Sequence, residues 1–138
     1  MLWRVATLVG LLVVALEADQ ARSVWDRVYT EEQANRGEKL YAGRCAQCHG
    51  DSLEGVEAAP ALTGPAFGDT WEGETLNALF DRMRTMPPDK PGVLSRAENA
   101  DVLAHLLRVG GFPSGDAPLD STAGALVGIR LLMYRPQP

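Results

Sequence analysis

Cys45, Cys48 and His49 are the residues of this chain best spaced to act together, in the run Cys45-Ala46-Gln47-Cys48-His49. Two cysteines three apart followed at once by a histidine read as a covalent c-type haem attachment site. Each thiol can add across one vinyl group to form a thioether. The adjacent imidazole is then held under the iron and can ligate it through one ring nitrogen. All three residues must be close because they engage one rigid macrocycle.

Three other chemistries use such a pair. A thioredoxin-like redox pair belongs with alternating strands and helices, which this chain lacks. A structural zinc site needs four ligands, so both cysteines, His49 and His105 would all be consumed. A plain disulfide leaves His49 without a role. Haem attachment uses all three residues.

The 138 residues make one domain, with 46% hydrophobic and 22% charged residues, ordinary for a globular protein. The formal net charge of -5 argues against a nucleic-acid partner. Residues 1–21 read as an export signal: Met-Leu-Trp-Arg precedes an uncharged run from Val5 to Leu16, too short for a spanning helix of about 20 residues. Ala15, Ala18 and Ala21 each offer a small residue for cleavage, none with an ideal partner three positions back. The competing readings are an uncleaved anchor and a buried helix. Export would carry both cysteines out of the cytoplasm, to the periplasm or otherwise outside the cell.

An all-α fold is expected, with three main helices positioning the site. Residues 22–29 form an N-terminal strap, with Trp25 and Tyr29 as anchors. Thr30-Glu31-Glu32-Gln33 is a capping box opening a helix over 31–43 that runs straight into Cys45. Gly37 inside it costs about 1 kcal/mol against alanine and makes sense where another helix crosses closely. Tyr41 lies on the same face. Residues 50–70, rich in glycine and proline, read as a loop wrapping a haem edge. Leu76, Leu79, Phe80 and Met83 form the apolar face of a helix over 72–84, stopped by Met86-Pro87-Pro88. Ser95-Arg96-Ala97-Glu98 is a second capping box, for a helix over 96–109 with Ala100, Leu103, Leu106 and Leu107 buried. Residues 112–138 read as a surface-hugging tail with one short extended segment at Val127, Ile129 and Leu131.

An iron with one histidine ligand has an open face. Met83, Met86, Met133 and His105 are the candidates. Met83 is explained by core packing, and His105, between Ala104 and Leu106, by a packing histidine. Met133 is hard to place in the tail. Met86 follows the helix and precedes two prolines, so its thioether sits on a stiff, non-helical segment that can be aimed and held. The alternative is a gap-filling core methionine. A thioether opposite an imidazole would raise the reduction potential and leave no vacant site for oxygen or peroxide.

With these residues, about 30–110 of the chain resembles a class I cytochrome c. Cys45-Ala46-Gln47-Cys48-His49 is similar to that family's attachment motif. Gly37 and Tyr41 are similar to its helix-crossing glycine and aromatic, and Pro60-Ala61-Leu62 to the loop whose proline carbonyl accepts a hydrogen bond from the ligating imidazole. The resemblance implies the cytochrome c fold over 30–111 and one haem c. It implies Leu62 packed on the haem face, Trp71 near a propionate and Met86 as the distal ligand. An extension would then occupy 112–138. The family often has an aromatic near His105, where the contact here would be polar or absent. Residues 23–30 and Gly111-Phe112-Pro113 resemble small exported bacterial cytochromes, some of which serve quinoprotein or molybdenum dehydrogenases.

From Cys45 to Asp81 there are seven acidic residues and no Lys or Arg; from Arg82 to Arg96 there are four basic residues and one acid. Scattered surface charge is one reading. The other is a dipolar molecule whose Met86 side is steered to an acidic partner. Three functions compete: a one-electron carrier that is not an enzyme, a haem enzyme or gas sensor with an open sixth site, and an electron-entry subunit of an exported dehydrogenase.

Overall fold

The computed structural model describes residues 22–57 and 59–137. The expectation for residues 1–21 therefore lies outside the described residues. In chain order come β1 (Arg22–Ser23), α1 (Glu31–Arg44), α2 (Ala46–His49), α3 (Gly64–Trp71), α4 (Leu76–Met83), α5 (Arg96–Val109) and β2 (Ile129–Arg130). The chain is helix-rich, with five helices among the described residues.

The crossing of α1 and α5 forms the frame. A Cβ on Gly37 would overlap the backbone carbonyl of Asp101, so only glycine permits this approach. The Arg36 guanidinium grips Asp101 with two bonds, Nε to Oδ2 at 2.8 Å and Nη2 to Oδ1 at 2.9 Å. At the other end Arg108 of α5 donates to Asn35 Oδ1 at 2.6 Å and Glu38 Oε2 at 2.8 Å. Ser95 and Glu98 close both arms of the expected capping box of α5: Glu98 N donates to Ser95 Oγ at 3.2 Å and Ser95 N to Glu98 Oε2 at 2.7 Å.

The box expected for α1 closes only halfway. Thr30 Oγ1 accepts from Gln33 N at 3.2 Å, but the Gln33 side chain does not reach back. Buried, it pairs with the backbone of Leu119, donating to its carbonyl at 3.2 Å and accepting from its N–H at 2.8 Å. A residue expected to finish a helix cap instead holds the C-terminal segment.

That segment lies over the surface, as expected, but is anchored in the core by a few apolar side chains. Leu119, Leu126, Ile129 and Leu131 join Val24, Val28, Tyr29 and the inner faces of α4 and α5 in one large buried cluster. The strap at 22–29 is likewise anchored: Val24, Val28 and Tyr29 are buried while Arg22, Asp26 and Arg27 are exposed. Tyr29 donates its hydroxyl to Phe112 O at 2.7 Å, and Trp25 its indole N–H to Leu132 O at 2.9 Å. β1 and β2 pair in parallel, Arg22 with Ile129 and Ser23 with Arg130, tying the two ends of the described chain together. Of the alternating residues, Ile129 and Leu131 are buried while Val127 is exposed.

Two further expectations change. The stretch 50–70 is not all loop, since Gly64-Pro65 opens α3 with proline in its first turn, where a missing N–H costs nothing. The helix expected over 72–84 starts later, at Leu76, capped by Thr75. Glu72–Glu74 is spent on a turn that binds the C-terminal segment: Gly73 N donates to Leu131 O at 2.8 Å and Leu131 N to Glu74 O at 2.9 Å.

Candidate functional site

A second, smaller cluster lies beside the cysteines. Tyr41, Ala46, Leu53, Val102 and Leu106 are its buried members, with Leu40, Cys45, Leu62, Met83 and Leu94 packed against them. α1 delivers Cys45 directly, whose N–H still donates to Tyr41 O at 2.8 Å. The single turn α2 then presents Cys48 and His49. Cys45 is half-buried and Cys48 exposed, and both are free thiols. Burial first, then the neighbouring Cys48, pushes the Cys45 thiol up.

His49 is oriented by the loop that follows. Its Nδ1 lies 2.8 Å from the carbonyl oxygen of Pro60. A carbonyl only accepts, so the proton sits on Nδ1 and Nε2 keeps its lone pair for a metal. The loop is folded to make that contact. Gly55 N donates to His49 O at 2.8 Å and Leu62 N to Leu53 O at 2.9 Å. Gly55 has φ +78, and a Cβ there would crowd Pro60 and Ala61, so glycine is needed for the loop to close. Tyr41 braces the same turn from below, its buried hydroxyl donating to Gly50 O at 2.7 Å. Burial, then Cys45, Glu54 and Asp51, hold this phenol up to about 12, so it remains a donor throughout the physiological range.

The other named residues are distributed as follows. Leu62 is half-buried against the small cluster. Trp71 ends α3 with its ring 6.3 Å from that of Phe67, packed on the large cluster rather than the small one. Met83 packs on both clusters. Met86 is half-buried and belongs to neither, its N–H donating to Met83 O at 2.9 Å. Met133 lies on the large cluster beside Gly68. His105 is buried with its ring 5.3 Å from that of Tyr41, and Nδ1 accepts from Arg108 Nη2 at 3.2 Å. The histidine therefore makes both an aromatic and a polar contact at the crossing, and its acceptor nitrogen is already taken. Among the described residues no three or more His, Cys, Asp or Glu side chains group to hold a metal ion.

Sequence reasoning grouped Leu106 with the main core and did not single out Val102 or Leu53. Val102 and Leu106 are four apart on α5 and together face the small cluster. A second apolar stripe on that helix was the available signal. A cavity of about 610 Å³ has Leu62, Leu79 and Leu106 in its wall. It adjoins the cysteine site through Leu62 and Leu106, although none of Cys45, Cys48, His49 and Met86 lines it.

Two thiols and a proline-tethered imidazole, on a short turn between crossed helices and an apolar hollow, define a c-type cytochrome. The chain belongs to the cytochrome c family described as "Cytochrome C oxidase, cbb3-type, subunit III", which matches residues 32–106. That family carries covalently bound haem c with iron, and the chain is an electron-transfer protein rather than an enzyme. It is 30% identical over 82 residues to the "Cbb3-type cytochrome c oxidase subunit CcoP" of Rubrivivax gelatinosus, covering 58% of this chain and 27% of that protein. A chain of the sulfane dehydrogenase SoxCD from Paracoccus pantotrophus superposes with a TM-score of 0.53 and 26% identity, over 67% of this chain and 55% of that one. The chain thus spans about a quarter of its curated relative and about half of its structural one. The residues present fit the attachment of the cofactor: Cys45 and Cys48 offer two thiols on one turn and Nε2 of His49 is the nitrogen left for a metal, while the adjoining hollow is lined by Leu62, Phe67, Leu79 and Leu106 together with Asp69 and Glu72.

Proposed function

We propose that the chain is a one-electron carrier whose haem c is thioether-linked to Cys45 and Cys48 and ligated by His49 and Met86. When bound, the haem supplies an iron that gains and loses one electron. The chain's own part is to hold it, orient it and keep water away. Cys45 and Cys48 fix its position, and the Pro60 carbonyl holds the imidazole in one tautomer and one orientation. Leu62, Val102 and Leu106 supply an apolar surround, which with a thioether ligand favours the reduced state. In this reading α1, α4 and α5 are the three main helices of a cytochrome c fold over residues 30–111. Residues 22–29 are a strap, 112–138 an extension, and 1–21 an export signal that takes the protein to the periplasm.

The observation that carries the reading is the 2.8 Å contact between His49 Nδ1 and Pro60 O. Met86 is favoured over its rivals because Met83 and Met133 are committed to core clusters and His105 to Arg108. The test is a mass of the denatured chain together with a ferric spectrum. Haem mass retained on the chain and a weak far-red band, lost in Met86→Ala, are expected. Pigment extracted by acid-acetone, or carbon monoxide binding freely to the reduced parent protein, would refute the assignment.

The relatives favour a second reading. One is an oxidase subunit by name and the other a dehydrogenase, which supports a redox protein as partner and an electron-entry subunit as the alternative to a free carrier. A quinoprotein or molybdenum dehydrogenase is the partner class this alternative names. Co-purification of the native protein with a larger oxidoreductase would decide for it.

A further inference from the structure

His105 lies buried at the crossing of α1 and α5, where the haem reading gives it no task. Arg108 Nη2 donates to its Nδ1 at 3.2 Å. A guanidinium only donates, so Nδ1 holds a lone pair, the ring is neutral and its proton sits on Nε2. The same Arg108 also holds α1 directly, through Asn35 Oδ1 at 2.6 Å and Glu38 Oε2 at 2.8 Å. A proton arriving on Nδ1 therefore breaks one bond and leaves the crossing held. The charge changes while the frame stays.

The ring also meets Tyr41, with centroids 5.3 Å apart. The Tyr41 hydroxyl donates to Gly50 O at 2.7 Å, and Gly50 follows His49 directly. One ring contact and one hydrogen bond thus separate His105 from the turn that carries the attachment residues. From α1 the imidazole faces Glu38 and Tyr41, and from α5 Arg108. Behind these stand Glu31 and Tyr29, near Arg108, and Cys45, Glu54 and Asp51, near Tyr41. Asp101, one turn earlier on α5, is taken up by Arg36. Both phenols are pushed up, Tyr41 to about 12, so neither titrates near neutrality. Burial, then Arg108, pushes the imidazole down, while Glu38 pulls the other way. The ring is thus neutral at pH 7 and responsive to a change of charge nearby.

We propose that His105 is a proton-binding site coupled to the haem: when the iron gains an electron from a redox partner, Nδ1 takes a proton from solvent, and oxidation returns it. The inference rests on haem attachment at Cys45, Cys48 and His49. It adds that the protein carries a proton with its electron under mildly acidic conditions. The electron lowers the charge at the iron by one, which favours a positive charge nearby. By reciprocity a protonated His105 disfavours ferric iron and raises the potential. A phenylalanine or leucine would fill the same space between Tyr41 and Arg108, but neither accepts a bond from Arg108 nor changes charge.

The experiment is redox titration of the holoprotein from about pH 8 to about pH 4.5 in the parent, His105→Phe and His105→Gln forms. The parental midpoint potential should be flat above about pH 7 and rise as pH falls through the His105 value. Phenylalanine keeps a ring against Tyr41, glutamine keeps an oxygen acceptor for Arg108, and neither takes a proton. Both variants should lose the rise. In proton NMR of the parent, the His105 ring should titrate at a higher pH in the ferrous than in the ferric protein, a readout that needs neither variant to fold. A parental potential flat with pH, a rise kept at full size in either variant, or a His105 ring that titrates at the same pH in both oxidation states would overturn the inference and leave the attachment reading standing. Absence of haem mass from the denatured parent chain would overturn both.

Discussion

Gly37→Ala is the sharpest test of the crossing on which the site stands. The added methyl would overlap the Asp101 carbonyl and come 2.9 Å from Val102 N. These are backbone atoms of α5, so no rotamer change relieves them. The helices must separate by roughly 1 Å, from a glycine to an alanine contact. Overpacking of this kind costs about 1–3 kcal/mol, and rigid backbone puts it near the upper end. Alanine returns about 1 kcal/mol of helix propensity. The net loss is therefore about 2 kcal/mol, a fall in Tm of roughly 6–10 °C for a domain of this size. Gly43 is the control. It lies on the same helix with nothing within 4 Å of its Cβ position, so Gly43→Ala should gain up to about 1 kcal/mol. Thermal melts of both holoproteins by far-UV circular dichroism read the two signs side by side. A Gly37→Ala protein as stable as its parent would show that close approach at Gly37 does not hold α1 to α5.

Tyr29→Phe leaves the buried Phe112 carbonyl without its donor and should cost about 1–2 kcal/mol in urea unfolding; a loss under about 0.5 kcal/mol would mean water replaces the hydroxyl. His105 faces Tyr41, Arg108 and Glu38, and burial, then Arg108, holds its pKa below the usual 6.5. The unfolded chain binds that proton more readily, so stability is full above about pH 6.5 and is lost as pH falls through the folded value. His105→Phe should flatten this acid-side slope, and a slope unchanged by the substitution would assign it to other groups. If the basic residues from Arg82 to Arg96 steer the protein to an acidic partner, electron-transfer rates should fall steeply with salt and Arg82→Glu should slow them; rates flat with ionic strength would rule the steering out.

What could be read from the chain alone was what local spacing dictates. Cys45, Cys48 and His49 fall on one turn because they are adjacent in sequence. The box at Ser95 closes within four residues, and α5 runs over 96–109 as its pattern predicts. What escaped depends on distant partners. Gln33 has the right type and position to finish a cap, but a buried amide finds a better match in the backbone of Leu119, 86 residues away, where it satisfies both a donor and an acceptor. Ile129 and Leu131 show the strand alternation that places β2, but Leu119 and Leu126 stand outside any helical or strand period, although all four join the large buried cluster. Gly64-Pro65 read as a turn, although the same pair suits a helix start, where φ +75 at glycine precedes a proline that needs no N–H partner. The attachment motif was therefore legible as chemistry, while the hollow beside it was not. Part of its wall comes from Met133, which lies beside Gly68 next to the bonds that Glu72, Gly73 and Glu74 make to Leu131 and Met133, and no local pattern encodes a contact made across so much of the chain.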